Sequence, residues 1–285
     1  MLATMIESSF QIAPGLGPKR ERELWRAGVA RWDDLPATAC APLSARTDRA
    51  LRAAIDDARA ALEARQADRV AALLPAREHW RLFGAFGDDA AYLDIETSDD
   101  VVGHAGISAI GILDRHGPRL FLAGRDLDDF PEAARDWPLL VTFNGLSFDV
   151  PILRRAFPEW RPPVGHVDLR HVMPRLGHPG GLKTIERRLE QLHLMRPPHL
   201  ASIDGWDASW LFRRGRDGDR EAMRRFAEYN LYDAVNLRTL MAWAYNALVE
   251  AEASDAPALQ AVAPPVPVPL RGDVLYDVAK LLLAI

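Results

Sequence analysis

The stretch AAYLDIET (90–97) places two carboxylates, Asp94 and Glu96, two positions apart in a run whose other core residues are apolar: Tyr92, Leu93 and Ile95. Its alternation reads as a β-strand. Side chains alternate across a strand, so Asp94 and Glu96 project from one face. Adjacent carboxylates repel unless protonated or bound to cations, and hard divalent ions such as Mg2+ or Mn2+ prefer oxygen ligands. A strand end that has simply reached solvent gives the same Asp-x-Glu pattern, so the pair has to be read with the rest of the chain.

That strand opens an α/β pattern. GISAIGIL (106–113) and RLFLAG (119–124) read as two more strands, and the turn Asp114-Arg115-His116-Gly117-Pro118 between them favours a hairpin. A short helix around 130–136 and a buried strand, PLLVTFN (138–144), follow. Helices are then expected at 147–157, 181–192, 206–214 and about 218–250. Upstream, residues 9–75 read as helical. Thr47 is the expected N-cap of a long helix with Leu51, Ile55, Ala58 and Leu62 on one apolar stripe. Pro14-Gly15-Leu16-Gly17 reads as a tight turn, with Pro18 the first residue of the next helix. Leu74–Gly87 reads as a connector. Residues 252–270, rich in Ala, Pro and Val, read as extended or disordered, and 273–285 as a terminal amphipathic helix. The organisation expected is a helical domain over 1–80, an α/β domain over 84–250 and a Pro-rich tail over 251–285.

Charge separates along the chain. The total is −5, yet residues 84–150 carry 4 Lys/Arg against 13 Asp/Glu, a net of −9, whereas residues 151–225 carry 15 against 9, a net of +6. An acidic segment beside a basic one suits an enzyme that binds cations and then a polyanion; an unevenly charged solvated surface has the same composition. The single cysteine, Cys40, allows no internal disulfide, and a reducing cytoplasm is expected. No apolar stretch approaches the roughly 18 residues of a membrane span, so no membrane partner is expected. The eight histidines do not pair with a cysteine at zinc-site spacings, and Gly15-x-Gly17 lacks the strand and the Lys-Ser/Thr ending of a phosphate-binding loop.

Two further segments complete a set. Asp149 follows the strand 138–144 across Asn144-Gly145-Leu146-Ser147-Phe148, at the start of a helix. Tyr229 and Asp233, in AEYNLYDAVNL, are four apart on a helix and share a face. Each motif alone is ordinary helix chemistry. In this order, Asp94-x-Glu96, Asn144-x-x-x-Phe148-Asp149 and Tyr229-x-x-x-Asp233 resemble the three exonuclease motifs of the DEDD superfamily. The segments YLDIET, FNGLSFDVPIL and YNLYDAVNL, with GLKTIERRL (181–189), are most similar to the YprB-type predicted exonucleases, and also resemble the proofreading domain of family-B DNA polymerases. The resemblance covers about residues 84–247. It implies a ribonuclease H-like mixed sheet flanked by helices, and a 3′→5′ exonuclease acting on DNA or RNA. The position five before Asp233 is Glu228 and the position four before it is Tyr229, so the chain resembles the tyrosine branch rather than the histidine branch.

The resemblance also implies roles. Asp94 would bridge two Mg2+ or Mn2+ ions, Glu96 and Asp233 would complete the first site, and Asp149 would serve the second. Tyr229 would orient water, since a phenol with a pKa near about 10 is a poor base at neutral pH. Asn144, Phe148 and Lys183 are the expected nucleic-acid contacts, with Arg187, Arg188, Arg213, Arg214, Arg216, Arg220, Arg224 and Arg225 as candidates for phosphate and Trp206, Trp210 and Phe212 for unpaired bases. Core aromatics and solvated arginines are the plainer reading of each. The turn at Gly15 and Gly17 with Lys19 and Arg20 resembles a helix-hairpin-helix element, whose helix start offers N–H groups to phosphate; it is equally an ordinary inter-helix loop. A structure-specific endonuclease and a non-catalytic nucleic-acid-binding module are the alternatives on the same scaffold.

Overall fold

The apolar runs pair into one mixed sheet. The structure, a computed structural model, describes residues 4–38, 40, 43–194, 196–255, 265–269 and 282. Strands β1 (Ala91–Thr97), β2 (Ile107–Asp114), β3 (Gly117–Leu122), β4 (Leu140–Thr142) and β5 (His166–Asp168) lie in the order β3-β2-β1-β4-β5. β1 runs antiparallel to β2 and parallel to β4, and β2 and β3 form the expected hairpin. β2 is buried along its whole length, whereas β1 is buried only as far as Leu93 and then alternates. The register sets Asp94 opposite Gly111 and Glu96 opposite Ala109, and it slips between Glu96 and Thr97. A bulge at that point ends regular pairing where the carboxylates emerge.

The described residues fall into two compact units. One comprises Asp89–Pro162, Asp168–Met241 and Val268–Ile285, and contains β1 to β4. Its core joins Leu93, Ile95, Ile110 and Ile112 of the sheet to Leu153 and an aromatic group. Phe130 is the hub of that group, with ring centroids of Phe121, Trp137, Phe157 and Trp160 at 5.3 to 6.1 Å.

The other unit comprises Met1–Asp88, Pro163–Val167 and Ala242–Pro267. Its longer helices are α1 (Pro18–Arg26), α2 (Ala45–Glu63) and α3 (Ala67–Leu73), with a single turn at Phe83–Phe86. Helix therefore covers only part of the expected 9–75; Pro14, Gly15 and Gly17, and further on Pro36, lie in described stretches where it is broken. Pro18 is the first residue of α1, after the exposed turn in which Gly15 takes a left-handed φ of +81°. Ser44, not Thr47, caps α2: its hydroxyl accepts from the Thr47 N–H at 3.2 Å. The apolar stripe begins at Leu51, about two turns beyond Ser44 and one beyond Thr47, so periodicity does not choose between them. Buried Arg81 donates to Glu21 and Glu78 at 2.8 and 3.0 Å, and Glu21 in turn accepts from the Phe10 N–H at 2.7 Å.

Four longer helices serve the first-named unit, α4 (Asp149–Ala156), α5 (Leu182–Arg188), α6 (Gly205–Arg216) and α7 (Arg220–Asp255), whose last turns belong to the second; single-turn helices at Phe130–Ala133, near the one expected at 130–136, Leu169–Val172 and Pro198–Ala201 accompany them. α5 is shorter than the expected 181–192, because Leu189 leaves helical geometry and a 3-10 turn, Glu190–Leu192, follows. β3 and β4 also end earlier than expected, at Leu122 and Thr142. β5 is too short for any periodicity to announce it. The terminal helix expected at 273–285 lies, apart from Leu282, outside the described residues. No described helix is long and apolar enough to cross a membrane.

Candidate active site

Strand, loop and helix deliver acidic side chains to one cleft of about 620 Å³, lined by Asp94, Glu96, Asp149 and Asp233 together with Asn144, Phe148, Lys183, Trp206 and Tyr229. One carboxylate oxygen from each of Asp94, Glu96 and Asp233 lies within 4.8 Å of the other two. Asp94 and Glu96 arrive from the end of β1, where the pleat gives them a common face. Tyr229 and Asp233 arrive one turn apart on α7. Glu228 does not line the cleft; it accepts from His199 Nε2 at 2.9 Å.

Asp149 comes from the first residue of α4, beyond the loop that follows β4. Two features hold it there. Its Oδ1 accepts the Ile95 backbone N–H at 3.1 Å, which ties the loop to β1. The loop is itself clamped by Asp168 of β5, whose carboxylate accepts from the N–H groups of Asn144 and Leu146 at 2.7 and 3.0 Å. Asn144 takes a left-handed φ of 72°, which Asn tolerates better than most residues. The turn is thus capped by Asp168 through two backbone N–H groups. A side chain on Gly145 would meet Thr142 Oγ1 at 2.3 Å, so this tight turn needs glycine.

The cluster is electrostatically unhappy without cations. Burial raises the Asp94 carboxyl well above its usual range, and Asp233, Asp149 and Glu96 raise it further. Burial and Asp233 do the same to Glu96, opposed by Lys183. Asp149 is pushed up to about 7, mainly by burial, against the two backbone N–H groups that stabilise its charge. All the available donors are carboxylate oxygens, the type that Mg2+ and Mn2+ favour, and their crowding is the repulsion that divalent ions relieve. The residues present therefore fit such ions.

Several partners that the sequence did not reveal surround the acids. Arg196, buried, pairs with Asp233 and with Glu186, the latter at 2.9 Å, and lies 5.5 Å from the centre of the Tyr229 ring. Burial works against the Arg196 charge, but Asp233 and Glu186 outweigh it and raise its pKa. Asn236 donates to the same Glu186 at 2.7 Å. Asn230, fully buried, donates to Asp94 Oδ2 at 2.8 Å and is backed by Gly111, where a Cβ would stand 2.5 Å from the amide oxygen. Lys183 donates to the Tyr229 hydroxyl at 3.0 Å and to the Ile203 carbonyl. Burial, then Asp233 and Glu96, raises the pKa of the Tyr229 phenol, and burial lowers that of the Lys183 ammonium.

The remaining sequence candidates divide. Phe148 and Trp206 line the cleft, at 41% and 88% exposure. Phe212 does not belong with them: it is fully buried and packs on Phe226 at 5.1 Å, on the inner face of α6. Gly15 and Gly17, on the turn before α1, and Lys19, in the first turn of α1, belong to the other unit; Arg20 of α1 donates to the Gly15 carbonyl at 2.9 Å. A family model described as the RNase H superfamily matches residues 91–245, which contain every residue of the cleft. No curated protein and no solved structure matches the chain.

Proposed function

The chain belongs to the RNase H superfamily over residues 91–245, and from that premise we propose that it is a metal-dependent 3′→5′ exonuclease of the DEDD type, tyrosine branch. The observation that carries the reading is the meeting of Asp94, Glu96, Asp149, Tyr229 and Asp233 in one cleft from three separate parts of the chain.

Asp94, Glu96 and Asp233 would hold one divalent ion, and Asp149, beside Asp94, would serve a second. When bound, such ions would acidify water and neutralise the charge of a phosphodiester undergoing in-line displacement. The chain's own groups do the rest. Asn230 donates to Asp94 Oδ2 and so fixes the orientation of that carboxylate. Tyr229, its proton held firmly, accepts from Lys183 and positions water by donating rather than by taking a proton. Lys183 adds positive charge beside the carboxylates, where a phosphate would approach. Asn144 and Phe148 contact the terminal nucleotide. The turn at Gly15, Gly17 and Lys19 is a helix-hairpin-helix-like phosphate contact in this reading.

The test is digestion of end-labelled single-stranded DNA, duplex DNA and RNA with Mg2+, Mn2+ or EDTA. Nucleotides should leave the 3′ end only with a divalent ion, and closed circles should survive. Asp94→Asn should lower turnover by at least about 100-fold, the scale of losing a group that stabilises transition-state charge. Undiminished activity in that variant, or cutting of closed circles, would overturn the assignment.

A further inference from the structure

Helix α6 presents two faces of opposite character. Ala208, Leu211 and Phe212 are buried. Trp206 and Trp210, one turn apart on the opposite stripe, are 88% and 51% exposed, and Arg214, one turn further on, holds its guanidinium 4.8 Å from the Trp210 ring centre. The three residues rise about 6 Å per step along the axis. Tryptophan offers a large, flat apolar surface and is enriched where a binding partner covers it.

The stripe is continuous with the acidic cleft, because Trp206 lines it and Trp210 does not. The last turn of α6 carries three arginines, of which Arg214 pairs with Asp219. Arg213 and Arg216 reach the Asp100 side chain and carbonyl at 2.7 and 2.8 Å, and Arg213 and Arg214 keep about half of their side-chain surface exposed, at 58% and 51%. Exposed ion pairs of this kind are weak and exchange readily for another anion. Aromatic rings interleaved with arginines bind an unpaired strand: bases stack on the rings and phosphates meet the guanidinium groups.

We propose that Trp206, Trp210 and Arg214 form a stacking rail that takes an unpaired nucleic-acid strand and leads its end into the carboxylate cleft. The inference rests on the nuclease reading and deepens it, naming a single-stranded end as the substrate. A base pair cannot use the rail, because stacking on a side-chain ring needs a base face released from its neighbour.

The test is fluorescence anisotropy of labelled oligo-dT, oligo-U and a blunt DNA duplex on the full chain, in an Asp94→Asn background so that nothing is cut. Trp206→Ala/Trp210→Ala should weaken binding of at least one single strand by about tenfold or more, the loss expected for removing two stacking rings, and leave the duplex unaffected. Trp206→Phe/Trp210→Phe, which keeps the rings, should restore most of it, which a folding defect would not permit. Arg214→Ala should flatten the salt dependence of single-strand binding. Unchanged affinity for both single strands, or an equal loss on the duplex, would overturn the rail. Failure of the native chain to release nucleotides with Mn2+ would sink the nuclease reading while leaving these binding results interpretable.

Discussion

Arg196 is the residue with most to do and the least visible role. Its side chain is 3% exposed and spans two carboxylates, Glu186 and Asp233. Removing it takes the directly paired cation from two buried acids, which costs about 3–5 kcal/mol. Arg196→Ala should lose stability on that scale in urea unfolding, and Mn2+ should recover part of it by replacing the missing charge beside Asp233. A loss below about 0.5 kcal/mol, the range of ordinary surface changes, would show that the pair is not organised as described. Tyr229 makes a different prediction. Its hydroxyl sits in the cleft and accepts from Lys183, but a raised phenol pKa makes it a weak base. Tyr229→Phe should lower kcat by about tenfold or more, within the range for groups that handle the attacking water, with Mn2+ affinity measured by calorimetry unchanged. Equal losses in both would assign Tyr229 to the metal instead.

Among the elements, the contact between β2 and α7 decides where Asp94 points. Gly111 stands opposite Asp94 in the strand register and leaves room for Asn230 of α7, which donates to Asp94. A methyl group on Gly111 would meet the Asn230 amide oxygen at 2.5 Å and its backbone carbonyl at 3.2 Å. The second atom belongs to a helix and cannot swing away. Gly111→Ala should therefore cost about 1–3 kcal/mol by overpacking and weaken divalent-ion binding, because Asp94 loses its partner. Native-like Mn2+ affinity in a destabilised Gly111→Ala chain would separate the packing from the site. This glycine is invisible as a functional residue in the strand pattern GISAIGIL: only the register shows what it faces.

For the whole molecule, the carboxylate cluster couples stability to pH and to cations. Asp94, Glu96 and Asp149 are raised, Asp149 to about 7, whereas carboxyls in an unfolded chain titrate near about 4. The fold therefore holds protons that the unfolded chain releases. Their stabilising contribution is fully present below the unfolded range and is lost as pH rises through the folded values. The metal-free chain should melt lower at pH 8 than at pH 5.5, and Asp149→Asn should flatten that dependence. Mn2+ binds the ionised groups, so it should raise the melting temperature more at pH 8 than at pH 5.5. An equal Mn2+ effect at both pH values would mean that the ion does not sit among these carboxylates.

The pattern of residues along the chain was enough to show where β1, β2, α4, α6 and α7 lie to within a few residues, because strand and helix periods are local; Asp94, Glu96, Asp149, Tyr229 and Asp233 stood out only through the resemblance of their three motifs, taken in order, to those of the DEDD exonucleases. The three-residue β5 carries no period to read. Asp168, which clamps the loop before Asp149, sits on that strand and acts across 24 residues of chain. Arg196 reaches Asp233 across 37 residues and Asn230 reaches Asp94 across 136. Pairings at such distances follow from how elements pack rather than from any local preference. Likewise Trp206 and Phe212 look alike in sequence, and only the face on which α6 is buried makes one a lining of the cleft and the other core.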